Sequence, residues 1–151
     1  MDYISSLRKH IGTQPIIMCG ACVIIVNEKS EILLHHRTDR DWWGLPGGAM
    51  ELKESLEDTA RREVFEEINL ICGDLQLLNV YSGPELYHKY PDGNEVYNVT
   101  AAYICHDFSG EIKVEKSEGR AARFYSINEL PSNLSNPIIP ILNDYIKTRR
   151  N

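Results

Sequence analysis

The chain lacks any uninterrupted apolar run of about 18 residues, the length that a membrane-spanning helix needs, so no membrane association is expected of its 151 residues. Its opening, Met1-Asp2-Tyr3, is polar and acidic and does not read as a secretory leader; a cytoplasmic location is the default expectation. Basic charge is in deficit, with 16 Lys and Arg against 22 Asp and Glu and a net charge of −6. Binding to nucleic-acid polymers draws on a basic footprint, so neither DNA nor RNA polymer is an expected partner. A small phosphate-bearing substrate is not excluded, because a bound cation can supply the positive charge locally. No repeat, low-complexity tract or long Gly/Ser linker points to a second domain. At 42% hydrophobic and 25% charged residues, the composition suits one globular domain over 1–151, with 1–15 as an N-terminal arm or short helix.

Cysteine is scarce as well: Cys19, Cys22, Cys72 and Cys105. Cys19-Gly-Ala-Cys22 has the spacing of a zinc or redox pair, yet it lies within the apolar stretch 16–26. That stretch reads as a buried strand, where residues three apart point to opposite faces. With no matching second pair, the reading is buried structural thiols. His35 and His36 also fall on an expected strand, and adjacent strand residues cannot face one metal.

What the chain does have is a charged helix with its acids on the wrong side for simple solvation. Glu63, Glu66 and Glu67 stand at i, i+3 and i+4, which places them on one side of a helix. Ala60, Val64 and Ile68 form its apolar stripe, and Glu67 lies only about 60° from Val64. Glu57, Asp58 and Arg61 occupy the far side. Clustered carboxylates bordering a buried face are costly without a counter-ion. A hard divalent cation held by oxygen ligands answers that cost, and a Gly-rich loop, Gly44-Leu-Pro-Gly-Gly48, lies just upstream.

The segment from Gly48 to Leu70 resembles the box of the Nudix (MutT-like) hydrolases, GX5EX7REUXEEXGU, where U is a bulky aliphatic residue. Gly48, Glu54, Arg62, Glu63, Glu66 and Glu67 match the fixed positions, and Val64 and Leu70 the aliphatic ones. Six such matches arise by chance about once in 10⁷ starting positions. The departure is Asn69, where the family has glycine; Asn is the next most tolerant residue of a left-handed cap, so the mismatch bears on the helix end and not on the carboxylates.

The resemblance implies an α/β fold, the Nudix α/β/α sandwich with a mixed β-sheet. It also implies Mg²⁺-dependent cleavage of a phosphoanhydride in a nucleoside diphosphate linked to another moiety, with Mn²⁺ as a substitute ion. Glu63 and Glu67 are then the metal ligands, with Glu66 a third and the Gly47 carbonyl another. Arg62 orients a box glutamate, and Glu54 either pairs with it or helps bind metal. Glu63, or a carboxylate outside the box such as Glu118, serves as general base. Arg37 and Gly48 are expected to contact substrate, and Trp43 to stack on a base. Pro84 and Tyr87 sit near the spacings that relatives use for ADP-ribose and for dinucleoside polyphosphates. The substrate is therefore read as a small nucleotide: a nucleoside triphosphate, oxidised or not, or an ADP-ribose-like nucleotide sugar. A nucleotide-binding module without catalysis and an RNA 5′-end pyrophosphohydrolase are the alternatives. The N-terminal arm and many relatives make a homodimer a reasonable assembly.

Local patterns predict a short helix or arm over 2–10, strands over 16–27 and 31–37 joined by a turn at 27–30, and a loop over 38–53. The box helix follows at 54–67, with Glu54 or Ser55 near its start, then strands near 73–82, 95–107, 111–115 and 121–126 and a last helix over 136–149.

Overall fold

Alternation along the first apolar run decides the architecture. In the computed structural model, which describes residues 2–37, 41–117 and 119–150, helix α1 (Tyr3–Ile11) precedes strand β1 (Ile16–Ile25), and β2 (Ile32–Arg37), β3 (Trp43–Gly44) and β4 (Gly47–Ala49) follow. Next come α2 (Leu56–Ile68), β5 (Ile71–Cys72), β6 (Gln76–Tyr81), β7 (Tyr87–Lys89) and β8 (Glu95–Cys105). The chain ends with β9 (Phe108–Ser109), β10 (Gly119–Tyr125) and α3 (Ile139–Arg150). On β1, Ala21, Val23 and Ile25 point toward Ala60, Val64 and Ile68 of α2. Cys22 and Ile24 point the other way, toward Ile141, Leu142 and Tyr145 of α3. Two apolar layers flank the strands, with a helix outside each: the α/β/α sandwich that the resemblance implies.

The main sheet runs β4-β1-β8-β6, with β7 also paired to β8. β1 and β8 are parallel and the other pairings antiparallel, so the sheet is mixed. A second sheet, β10-β2-β3, lies alongside.

Three local features depart from the sequence reading. The expected loop over 38–53 contains β3 and β4, too short to carry a periodic signal. The expected strand over 111–115 does not form. That segment runs past the end of α2, where the Lys113 and Glu115 amides donate to the carbonyls of Ile68 and Glu67, each at 3.0 Å. Its apolar residues Ile112 and Val114 pack on the α2-side core; helix-end carbonyls, not a strand partner, claim its donors. Cys19 is exposed, unlike the other three cysteines.

Asn69 caps α2 in the left-handed conformation, φ 66° and ψ 21°. Its side chain donates to the Glu111 carbonyl at 3.0 Å, a bond that glycine would not make. No helix among the described residues is long and apolar enough to cross a membrane.

Candidate active site

Helix α2 begins with a reciprocal cap: Ser55 Oγ accepts from the Asp58 amide at 3.0 Å, and the Asp58 carboxylate accepts from the Ser55 amide at 3.1 Å. This start fixes Glu54, which accepts from Arg62 Nε at 2.6 Å and Nη2 at 3.0 Å, from Thr59 Oγ1 at 3.0 Å and from the Glu51 amide at 2.9 Å. The Arg62 bonds, foremost among these, hold the Glu54 carboxyl down at about 2. Arg62 also donates through Nη1 to Glu63 at 2.8 Å and to Glu66 at 3.3 Å, and through Nη2 to the Ala49 carbonyl at 2.9 Å. One guanidinium thus ties the start of the helix, its acidic face and strand β4 together.

The acidic face is graded. Glu67 is 3% exposed, Glu63 is half-buried, and Glu66 opens to solvent. Burial, then the neighbouring Glu67 charge, pushes the Glu63 carboxyl up to about 7 against the opposing pull of Arg62. Strand β4 lies directly against it: a Cβ at Gly48 would come within 2.5–2.7 Å of the Glu63 carboxyl group. At Gly47 a Cβ would strike the Ala21 carbonyl at 2.3 Å. Close approach of backbone therefore requires glycine at 47, while a side chain at 48 would displace the Glu63 carboxylate. The Gly47 amide faces Glu67 Oε2 at 3.4 Å.

These residues fit a divalent cation in part of its shell. Among the described residues, no three acid, imidazole or thiol side chains converge as a complete ligand set. Two carboxylates short of positive charge, set against glycine backbone, suit magnesium, which keeps several waters and takes few protein ligands. The thiol of Cys22 is not part of such a set: burial and the Glu67 charge push it up to about 12.

The acidic face opens into a cleft of about 740 Å³. Arg37, Gly47, Gly48, Arg62, Glu63, Glu66 and Glu67 all line it, so most of the expected site residues converge.

A family model for the NUDIX domain matches residues 18–145. The chain belongs to the NUDIX family. Nudix hydrolases act on the pyrophosphate bonds of nucleotide compounds, and several of the relatives bear enzyme names. The ADP-ribose pyrophosphatase of Methanocaldococcus jannaschii is 32% identical over 126 residues, which span 82% of this chain and 70% of its own. The 8-oxo-dGDP phosphatase NUDT18 of Mus musculus is 37% identical over 117 residues, 74% of this chain but only 33% of that longer protein. The crystal structure of a MutT NUDIX hydrolase from Burkholderia pseudomallei matches with a TM-score of 0.73 at 29% identity, covering 87% of this chain and 98% of its own.

Two expected contacts lie elsewhere on this Nudix fold. Trp43, expected to stack on a base, is packed between His36 (ring centroids 4.8 Å apart) and Tyr125 (5.3 Å), while its neighbour Trp42 lines the cleft. Tyr87 is also outside the cleft lining: its ring lies tilted against Tyr97, centroids 5.1 Å apart, and its hydroxyl hydrogen-bonds Glu95. Alternation on β7 explains this, because His88, one residue on, faces the cleft with Tyr90. Glu118 lies outside the described residues.

Other cleft residues belong to no motif. Asp2 and Ser5 of the α1 segment, and Asn98 and Thr100 of β8, all contribute to its wall. Behind it stands a buried residue: His35 Nδ1 approaches Glu67 Oε2 to 3.3 Å. Alternation along β2 puts His35 on the same side as Leu33, which packs toward α2, so the strand period carries a signal for it.

Proposed function

We propose that this Nudix protein is a divalent-metal-dependent pyrophosphohydrolase that cleaves the phosphoanhydride of a nucleoside diphosphate linked to a second moiety. The observation that carries this reading is the Glu63–Glu67 pair, with Glu67 buried, Glu63 half-buried against the Gly48 backbone, and Arg62 as the neighbouring cation. Glu63 and Glu67 hold the ion, and Glu66 extends the acidic face toward the cleft mouth. A magnesium or manganese ion held there would supply positive charge against the phosphates and lower the pKa of the attacking water. Arg62 and Glu54 keep the helix face in register with β4, and Gly47 and Gly48 keep space beside the carboxylates. Arg37, at the end of β2, engages the phosphates, and Trp42 stacks on a base, a contact worth roughly 1–3 kcal/mol in nucleic-acid binders. Glu63 is the described carboxylate best suited to take a proton from the attacking water, with Glu118 the candidate outside the box.

ADP-ribose-like nucleotide sugars are the first substrate class to test, because the match to the archaeal ADP-ribose pyrophosphatase spans 82% of this chain. Nucleoside triphosphates, oxidised ones included, come second. A cleft of about 740 Å³ accommodates a nucleotide with an attached moiety. A binding module without catalysis is disfavoured by the presence of all four box glutamates. RNA 5′ ends rank lower on the net charge of −6. The test is a panel of ADP-ribose, other nucleotide sugars, and ordinary and oxidised nucleoside triphosphates, with products identified by phosphorus NMR in magnesium and in EDTA. Magnesium-dependent release of a nucleoside monophosphate from at least one class is expected; no turnover across the panel overturns the enzymatic reading.

A further inference from the structure

We propose that His35 is a positioning residue for the metal-binding carboxylate of Glu67. The inference rests on the reading of Glu63 and Glu67 as the ion's ligands. His35 is 1% exposed and Glu67 3%, so their contact is shielded from water. The 3.3 Å approach brings a ring nitrogen to a carboxylate oxygen, an arrangement that is favourable when the nitrogen carries a proton, since two acceptors would repel. The Gly47 amide reaches the same oxygen, Oε2, at 3.4 Å. The Gly47 amide makes a long hydrogen bond to this oxygen, and the His35 ring nitrogen, close to it but not aligned as a hydrogen bond, adds an electrostatic contact; the two approach one atom from different sheets and so favour one orientation of the carboxylate.

The imidazole is itself held in place. Gly119 of β10 sits over its far edge, where a Cβ would fall 2.1 Å from Nε2. Pairing between β10 and β2 is irregular at this point, with a register shift between Gly119 and Ala121. A bulge beside a site commonly re-aims a side chain or lets one pass; here it leaves room for a ring that a regular alanine would not. The chain thus places a glycine and an irregularity beside a buried polar ring that points at a functional carboxylate.

Partners of ligating carboxylates typically contribute 10–100-fold in metal affinity or activity. The test is Mn²⁺ titration of the full chain without nucleotide, read by electron paramagnetic resonance, for wild type, His35→Leu and His35→Asn. Leucine removes the donor; asparagine keeps an N–H near the Nδ1 position. The expectation is that His35→Leu weakens Mn²⁺ binding about 10–100-fold and that His35→Asn recovers most of it. Should His35→Leu not fold, His35→Phe supplies a ring of similar size without a donor and is expected to show the same weakening. Thermal unfolding in EDTA separates the effect from packing, and at saturating metal kcat is expected to recover in the donor-free variant. Equal Mn²⁺ affinity in wild type and the donor-free variants overturns the role of His35 while leaving the metal reading intact. Equal weakening in His35→Asn and the donor-free variants also overturns it, as a packing effect. Absence of Mn²⁺ binding in the wild type overturns the metal reading itself, and this inference with it.

Discussion

Replacing Glu63 by glutamine should stabilise the metal-free protein at alkaline pH and leave it unchanged in acid. Glu63 is raised from 4.5 to about 7, chiefly by burial and secondly by Glu67. In the folded state it therefore binds a proton more tightly than in the unfolded chain. Stability is lost as pH climbs from about 4.5 through about 7, and below that window the group carries no penalty. At 1.36 kcal/mol per unit the loss above pH 7 approaches about 3 kcal/mol. For a domain of this size that is a shift of about 6–12 °C in Tm at the upper limit. Glutamine is the appropriate probe because its carbonyl oxygen can still accept from Arg62 Nη1, which stands 2.8 Å from the Glu63 carboxylate. Thermal unfolding of wild type and Glu63→Gln in EDTA, at pH 4.5 and pH 8.5, reads the difference directly. The variant should melt higher at pH 8.5 and equally at pH 4.5, and magnesium should raise the wild type while leaving the variant nearly unmoved. A pH-independent offset, or a wild type that melts higher at pH 8.5 in EDTA, refutes the reasoning.

Other substitutions separate support from chemistry. Glu54 is held low, so its contribution is present above pH 4.5 and is lost as pH falls toward 2; a melting difference between wild type and Glu54→Gln should shrink over that range. Arg62→Ala strands Glu54, Glu63 and Glu66 together and should cost about 2–3 kcal/mol at neutral pH, measured by urea unfolding. Gly47→Ala meets backbone and should cost about 1–3 kcal/mol by the same measurement. Gly48→Ala meets only the end of the Glu63 side chain, so it should unfold nearly as wild type yet show a clear loss of metal-dependent turnover.

The parts of this molecule that obey a period are legible in its sequence. The apolar run at 16–26 reads as a buried strand, and the 3.6-residue stripe of Ala60, Val64 and Ile68 predicts that Glu67 borders the core, where it is 3% exposed. Asn69 is legible as a left-handed cap, although its bond to the Glu111 carbonyl is not, since residues 42 apart meet only in the fold. Short elements stay hidden: β3 and β4 span two and three residues, and neither has enough chain to repeat a pattern. The same limit makes the sequence point to Trp43 and Tyr87 where the cleft holds Trp42 and His88. Choosing between neighbours requires knowing which way a strand faces, and a strand of two or three residues does not announce itself. His35 and His36 fail as a metal-binding pair because β2 turns them to opposite sides, and that same turn gives each a separate carboxylate. His36 goes to Asp41 at 2.7 Å and His35 to Glu67.

The central claim is that the Glu63–Glu67 pair holds a divalent ion for phosphoanhydride cleavage. The most direct measurement is product release as a function of magnesium concentration, with the substrate that the panel identifies, for wild type and Glu67→Gln side by side. The account predicts saturable activation by magnesium in the wild type and no measurable turnover in Glu67→Gln, with both proteins giving the same circular dichroism. Comparable turnover in a folded Glu67→Gln variant, or wild-type turnover that EDTA leaves unchanged, contradicts it.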